Sequence, residues 1–332
     1  MNCGIIGLPN VGKTALFNLL TQNCARSSNY PYCTVEPNTG IAYMPDRRLD
    51  KLKEVFGPQK KKYPYVKFID VAGLPPGASK GEGLGNRFLS DIRDSYALLH
   101  VVRSFSSPDV SRFDPVSKDP LGDLELVETE LFLADLQVAE RRLEDEPFSE
   151  YWTDTRARLM KEERPLRDKE GVLLTAKERI VLVNITTGSE KPRINRENVI
   201  YTDIKLQAEL KEMPPAEREE FKKMTAGWES GLDEIIFKVK EMLNLVTFFT
   251  VEGGKEVKGH NIKKGKSVYE AAGKVHSDMQ KSFIKAEVYN YSRLQEHGFD
   301  PHKLRNSGNI RMEGRDYKVK DGDIVKIMFG GA

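Results

Sequence analysis

Residues 7–14 read Gly-Leu-Pro-Asn-Val-Gly-Lys-Thr, a full match to G-x-x-x-x-G-K-[ST]. The pattern works only where a strand feeds a tight loop and the loop opens a helix. Successive backbone N–H groups must turn inward toward phosphate oxygens at the helix start. Both flanks fit: Cys3 to Ile6 is an apolar run, and Leu16, Phe17, Leu19 and Leu20 follow at helical spacing. Gly7 and Gly12 allow the turn and a close approach. Lys13 reaches the β- and γ-phosphates, and the Thr14 hydroxyl is placed to ligate Mg²⁺. The expected phosphate-binding residues are therefore Asn10, Val11, Gly12, Lys13, Thr14 and Ala15.

A phosphate loop requires an α/β fold around it, and the first part of the chain has that texture. Strands are predicted over residues 2–7, over Tyr65 to Val71 and over the buried run Ala97 to Val102, with a helix over about 14–23. Such alternation predicts a mostly parallel sheet with helices on both faces. From Asp123 the spacing of Leu124, Val127, Leu131, Ala134 and Val138 predicts an amphipathic helix, and a second charged helix runs through Thr153 to Glu163. Pro147 and Pro165 break this region, which reads as a helical hairpin inserted into the α/β domain. Ile180 to Asn184 returns to a buried strand and Gly231 to Leu243 to a helix. Near Val246 the texture turns β-rich, and about 85 residues of strands around one short helix predict a small α+β module. The expected domains are 1–122 with 179–246, an insertion over 123–178, and a C-terminal domain over 247–332.

Composition narrows the class. Charged residues make up 31% and hydrophobic ones 39%, and no apolar stretch approaches the twenty residues a membrane span needs. The three cysteines, Cys3, Cys24 and Cys33, are few and not in metal spacing, which favours a reduced, cytoplasmic setting. The chain's net charge is +2, yet residues 247–332 alone hold 16 Lys and Arg against 11 Asp and Glu. A basic module on a slightly acidic body fits either an acidic partner such as RNA or a solvated face.

A second motif refines the first. Phe68-Ile69-Asp70-Val71-Ala72-Gly73 places an aspartate at a strand end followed by D-x-x-G. Asp70 is expected to hold Mg²⁺ through water, and the Gly73 N–H to touch the γ-phosphate. Between the two motifs a threonine would complete Mg²⁺ coordination. Thr34 is the first choice and Thr39 the second.

These stretches resemble one family. Residues 7–14, Tyr32 to Gly40, and Asp70 through the glycine-rich segment to Leu89 look like the YchF branch of the Obg-related P-loop NTPases, the Obg-like ATPases. Ala271 to Asp278 and Gly314 to Ile324 look like that family's TGS domain, a β-grasp module. The resemblance spans nearly the whole chain and is weakest over about 105–245. It implies a P-loop NTPase domain with an inserted helical hairpin and a C-terminal TGS domain. It further implies a slow ATP- or GTP-hydrolysing switch that works with the ribosome or ribosomal RNA, with no membrane partner and no DNA specificity.

The chain departs from the pattern in several places. Signalling GTPases place a glutamine after the D-x-x-G glycine to orient water. Leu74 stands there, which implies the hydrophobic-substituted, slow class. Asn10 is the residue type that helps related NTPases hold K⁺, and is equally a turn-stabilising residue after Pro9. Family members carry a histidine in the loop after the strand holding His100, but residues 104–120 contain none. Arg112 aligns there instead, able to stabilise transition-state charge but not to act as a base. His100 itself reads as a packed core residue. For the base, GTPases use N-K-x-D and this branch N-x-x-E, whereas the chain reads Asn184-Ile185-Thr186-Thr187-Gly188-Ser189-Glu190. Asn184 and Ile185 are the expected base contacts, with Glu190 and Thr202 as further candidates. Without an aspartate for the guanine N1 and N2 protons, ATP or relaxed specificity is expected. The alternatives are a nucleotide-sensing module with negligible hydrolysis and a GTP-preferring Obg-type GTPase. A small-molecule kinase would need an acceptor pocket with a base.

Overall fold

The computed structural model describes residues 1–21, 38–73, 84–106, 119–165, 168, 171–224 and 231–330. Two compact units emerge: Met1–Ala42 with Lys67–Met242, and Tyr43–Val66 with Leu243–Ala332.

The first unit opens with β1 (Asn2–Ile6) and α1 (Lys13–Thr21), then reaches β2 (Thr39–Tyr43). The chain next leaves for an excursion, α2 (Arg47–Phe56) and β3 (Lys60–Lys62), that belongs to the second unit. It returns through β4 (Tyr65–Asp70), α3 (Leu84–Arg93), β5 (Ala97–Ser104), α4 (Pro120–Asp145), α5 (Glu150–Leu159), β6 (Glu178–Ile185), β7 (Val199–Thr202), α6 (Ile204–Glu212), α7 (Pro215–Met224) and α8 (Leu232–Met242). The sheet order is β2-β4-β1-β5-β6-β7. The β1 pairings with β4 and β5 are parallel, as are β5 with β6 and β6 with β7. Strands covered on both faces need apolar side chains on both. Cys3, Ile5 and Ile6 in β1 and Leu98, Leu99, Val101 and Val102 in β5 are accordingly buried. Each buried aliphatic side chain contributes about 1.5–3 kcal/mol. With β4 and β5 on either side of β1, the loop leaving β1 sits where the strand order reverses, the crevice in which such sheets hold ligands.

The helical hairpin is present, with different limits from those expected. Asp119 caps α4 by accepting from the Gly122 N–H at 2.8 Å, and Pro120 sits in the first turn, where a missing N–H costs nothing. The first half of α4 is a covering helix of the sheet, with Leu124 packed among Val102, Val181, Val183 and Ile185. Only the second half pairs with α5, around Ala139, Trp152, Leu159 and Leu173. Both functions use the same 3–4 spacing, so sequence periodicity alone could not separate them. Asp135, fully buried, ties the return segment to α4 by accepting from the Leu174 and Thr175 N–H groups at 2.8 Å each and the Thr175 hydroxyl at 2.6 Å.

The second unit continues with β8 (Leu245–Glu252), β9 (Glu256–Lys263), α9 (Val268–Val275), α10 (Ser277–Lys281), β10 (Phe283–Asn290), α11 (Tyr291–Glu296), α12 (Pro301–Asn306), β11 (Arg311–Glu313) and β12 (Asp323–Phe329). Its sheet order is β11-β10-β12-β8-β9-β3. The first and last long strands of the C-terminal segment, β8 and β12, lie parallel and adjacent, the β-grasp order, with β9 and β10 antiparallel outside them. Alternation along β8 divides the core. Phe248 packs with Val268, Ala271 and Ala272 of α9, whereas Phe249 packs with Leu49 and Leu52 of α2 and with Leu294 and Leu304. Residues 43–66, expected within the first domain, therefore belong to the second unit, because the sheet's other face needs the apolar side of α2 to cover it. An αL Gly57 closes α2, its N–H donating to Lys53 O at 3.0 Å.

Candidate nucleotide site

The loop between β1 and α1 is bent where the sequence predicts. Gly7 has φ +144°, and a Cβ there would lie 2.3 Å from Val101 O. Gly12 has φ +106°, and a Cβ there would lie 2.8 Å from Asn184 Nδ2. Neither position admits a side chain. Asn10, exposed at φ +63°, adopts the left-handed conformation that asparagine tolerates best after glycine. The loop then closes directly into α1, with Leu16 N–H donating to Gly12 O at 2.9 Å. The N–H groups of the first turn of α1 have no partner within the helix and carry its positive dipole end, an arrangement suited to anions.

Lys13 is buried, and its Nζ donates to Leu8 O at 2.7 Å. Burial lowers its pKa to about 8, partly opposed by the Asp70 carboxylate. Thr14 Oγ1 donates to Asp70 Oδ2 at 2.8 Å, which joins the two motifs across 56 residues of sequence. Register explains the meeting, since Asp70 lies beside Ile5 at the ends of the parallel pair β4 and β1. Burial raises the Asp70 pKa, while Thr14 and Lys13 lower it. Its Oδ1 is buried and has no hydrogen-bond partner. A buried, unpartnered carboxylate oxygen next to a threonine hydroxyl is the hard oxygen donor set that suits Mg²⁺. Among the described residues no cluster of three His, Cys, Asp or Glu side chains could hold a metal alone. The pair thus fits an ion that completes its shell with water and phosphate oxygens. Gly73 packs on the same loop, since a Cβ there would meet Pro9 at 3.0 Å.

The residues after β6 behave differently. Asn184 is buried, its Nδ2 donating to Val11 O at 3.0 Å and its Oδ1 accepting from Ile204 N–H at 3.2 Å. Both ends of the amide are used to fasten the phosphate loop to the start of α6. Asp203, which sequence reading missed, caps α6 through Leu206 N–H at 3.0 Å and also accepts from Thr187 N–H at 2.8 Å. Its signal was an aspartate just before an apolar-periodic segment, the usual N-cap pattern. Ile185 and Thr202, expected near a base, are enclosed in the sheet at 1% and 0% exposure. The reason is register: β6 stays paired through Ile185 with Ser104, and Thr202 is paired with Asn184. Glu190 is exposed beyond the turn in which Ser189 N–H donates to Thr186 O. His100 is fully buried with neither ring nitrogen partnered, and burial, aided by Arg179 and Lys13, lowers its pKa to about 3. It is a neutral core residue. Thr34, Leu74 and Arg112 lie outside the described residues, and Thr39 opens β2.

The strand order, the glycine-bent loop and the Thr14–Asp70 contact make the first unit a P-loop NTPase domain. Family models agree. One described as 50S ribosome-binding GTPase matches residues 2–131, and the YchF GTPase C-terminal model, described as a protein of unknown function (DUF933), matches 245–330. The chain is 36% identical over 365 residues to the Ribosome-binding ATPase YchF of Bacillus subtilis (strain 168), covering 99% of each. It is 37% identical over 360 residues to the protein of that name from Escherichia coli O157:H7, covering 98% of each. The solved structure of the Schizosaccharomyces pombe YchF GTPase superposes with a TM-score of 0.83 at 28% identity, over 99% of this chain and 97% of that one. The chain belongs to the YchF family.

Proposed function

We propose that this chain is a nucleotide-dependent switch that binds and slowly hydrolyses ATP and docks on the ribosome. The observation that carries the reading is the Lys13, Thr14 and Asp70 cluster at the mouth of the glycine-bent loop. Lys13 and the N–H groups of Val11 to Ala15 hold the phosphates. Thr14, Asp70 and Thr34 would hold Mg²⁺, which when bound would supply positive charge to the phosphates. The Gly73 N–H and Leu74 would follow the γ-phosphate, so hydrolysis would change the order of the segments around 25–40 and 73–90, the second of which runs into α3. Arg112 would stabilise transition-state charge, and Asn10 is the candidate residue to help hold a K⁺ that would add positive charge there.

The preference for ATP has a local basis. Asp203, the carboxylate hydrogen-bonded to the segment after Asn184, already has both oxygens engaged, by Thr187 and Leu206. Guanine would bring two N–H donors, at N1 and N2, without the aspartate of N-K-x-D to meet them, and unmet buried donors are costly. Glu190 remains the candidate partner for the adenine side. The relatives named above from B. subtilis and E. coli are called ATPases and ribosome-binding, which supports the same reading. In the basic C-terminal unit, here read as a TGS domain, Lys258 is half-buried with its pKa lowered by burial and by Lys62. With Lys263, Lys264 and Lys266, the last paired with Glu270 at 2.6 Å, it gives this unit cationic side chains with which to meet ribosomal RNA, in a cytoplasmic setting.

A second reading, nucleotide sensing with negligible turnover, is favoured by Leu74 and by the absence of a histidine from residues 104–120. Turnover measured with Mg²⁺, in Na⁺ and then K⁺, with and without ribosomes, separates the two. Stimulation by ribosomes or K⁺ supports the switch. Turnover at background in every condition supports the sensor.

A further inference from the structure

The second unit holds a cavity of about 290 Å³ that the nucleotide site does not explain. Its floor is apolar and aromatic, including Phe56, Tyr289 and Ile310. Its lining also carries two cationic side chains, Arg305 and Lys326, and the His302 imidazole. The single carboxylate among the lining residues is Glu287, which is buried. Arg305 Nη2 donates to both of its oxygens at 3.0 Å. That pair uses only one nitrogen of a guanidinium whose side chain is 62% exposed, so the fork keeps donors for a ligand. Burial, reinforced by the Glu287 carboxylate, pushes the Tyr289 hydroxyl up to about 12, so it stays a neutral hydrogen-bonding group.

Apolar floor, one satisfied carboxylate and two cationic side chains match a ligand with a planar body and one negative charge. One nucleotide of an RNA strand, with a single phosphodiester charge, has that chemistry and about that size. Proteins that read single-stranded RNA lay unstacked bases on aromatic side chains and hold the adjoining phosphate with Arg or Lys. We propose that this cavity captures one unpaired nucleotide, its base on the Phe56–Tyr289 floor and its phosphate at Arg305 and Lys326. Duplex RNA, whose bases are stacked and paired, cannot enter. The inference extends the RNA-facing reading of this unit to one pocket, and a free mononucleotide is the other source of the same chemistry.

Two substitutions test it in the full chain with ADP and Mg²⁺ saturating the phosphate loop. Gly253 lines the cavity, is not at positive φ, and a Cβ there meets nothing within 4 Å. Gly253→Leu therefore fills the mouth without changing charge. Lys326→Gln removes a charge from an exposed side chain without setting a second carboxylate opposite Glu287. Affinity for a fluorescein-labelled hexauridylate is read by anisotropy, with thermal melting as the check on folding. Each variant is expected to melt like the parent and to weaken hexauridylate binding at least tenfold, while duplex RNA of equal length is unaffected by Gly253→Leu. Displacement of the label by millimolar 5′-UMP would assign the free nucleotide as the source. Absence of displacement, with the tenfold losses intact, would assign the polynucleotide. Parent-like hexauridylate affinity in Gly253→Leu overturns the proposal, because binding would then follow surface charge alone. Ribosome co-sedimentation of the parent tests the wider reading separately, so the pocket can fail while that reading stands.

Discussion

The two ends of the nucleotide site are built on opposite principles. At the phosphate end, polar groups are buried and left with bonding capacity in reserve. Lys13 is held at about pKa 8 by burial, with a loop carbonyl as its hydrogen-bond partner among the described residues, and Asp70 Oδ1 has none among them. At the other end, Asn184 and Asp203 spend their capacity within the chain, on Val11, Ile204, Thr187 and Leu206. One end stores unfavourable free energy that an anion and a cation would relieve. The other end stabilises the scaffold, with both ends of the Asn184 amide and each Asp203 oxygen already bonded within the chain. Altering the first should harm binding and spare the fold. Altering the second should harm the fold.

The largest expected effect comes from Lys13→Met. Removing a charge-assisted contact to phosphate is expected to weaken ATP·Mg²⁺ binding at least a hundredfold, about 2.7 kcal/mol, by calorimetric titration. The same change is expected to raise the melting temperature. A folded pKa of about 8 lies below the ordinary 10.5, so the charged lysine disfavours the fold at neutral pH by about 3 kcal/mol. That cost is full below pH 8 and fades as pH rises toward 10.5. A lower melting temperature would break the comparison at its first term.

Asn184→Ala is expected to do the reverse in emphasis. It leaves the buried Val11 carbonyl and Ile204 N–H without their partner, and should cost about 2 kcal/mol in urea unfolding. A parent-like midpoint would show that the asparagine is not a staple. Smaller still is the pH dependence of binding. Phosphate binds the protonated lysine, so ATP affinity should be flat below about pH 8 and fall by up to tenfold per unit above it. The Lys13→Met chain should lack that slope. The smallest expected effect is that of Asp70→Asn on stability. Burial raises the Asp70 pKa, so the neutral isostere should be at least as stable at pH 7 as the parent. It should also lose the Mg²⁺ dependence of ATP affinity, measured by titrations with and without the ion.

What could be read from the chain alone follows the same division. The phosphate loop was legible because its requirements are local: two glycines, a lysine and a threonine within eight residues, between a strand and a helix. Asp70 was legible because a D-x-x-G at a strand end, following such a loop in the chain, has one strong chemical use, the metal and γ-phosphate side of the same site. Asn184 is visible in the sequence as a strand-end asparagine, but its bond to Val11 is not, because Val11 lies 173 residues away and is met only through the sheet order. Asp203 looks like any helix cap until the turn at Thr187 folds back onto it. Residues 43–66 were assigned to the wrong body because nothing near Leu49 and Leu52 tells that Phe249, about two hundred residues on, needs them. Patterns that a helix or turn satisfies by itself show in the sequence, and those that two distant segments satisfy together do not.

The central contrast, a reserved phosphate end against a committed base end, is tested most directly by titrating the intact chain with ATP and GTP in one Mg²⁺ buffer. The expected result is that both bind through the phosphate loop and that GTP binds no tighter than ATP. GTP binding a hundredfold tighter, about 2.7 kcal/mol of base recognition, would contradict it. A carboxylate would then have to be available to guanine at an end where Asp203 is already engaged.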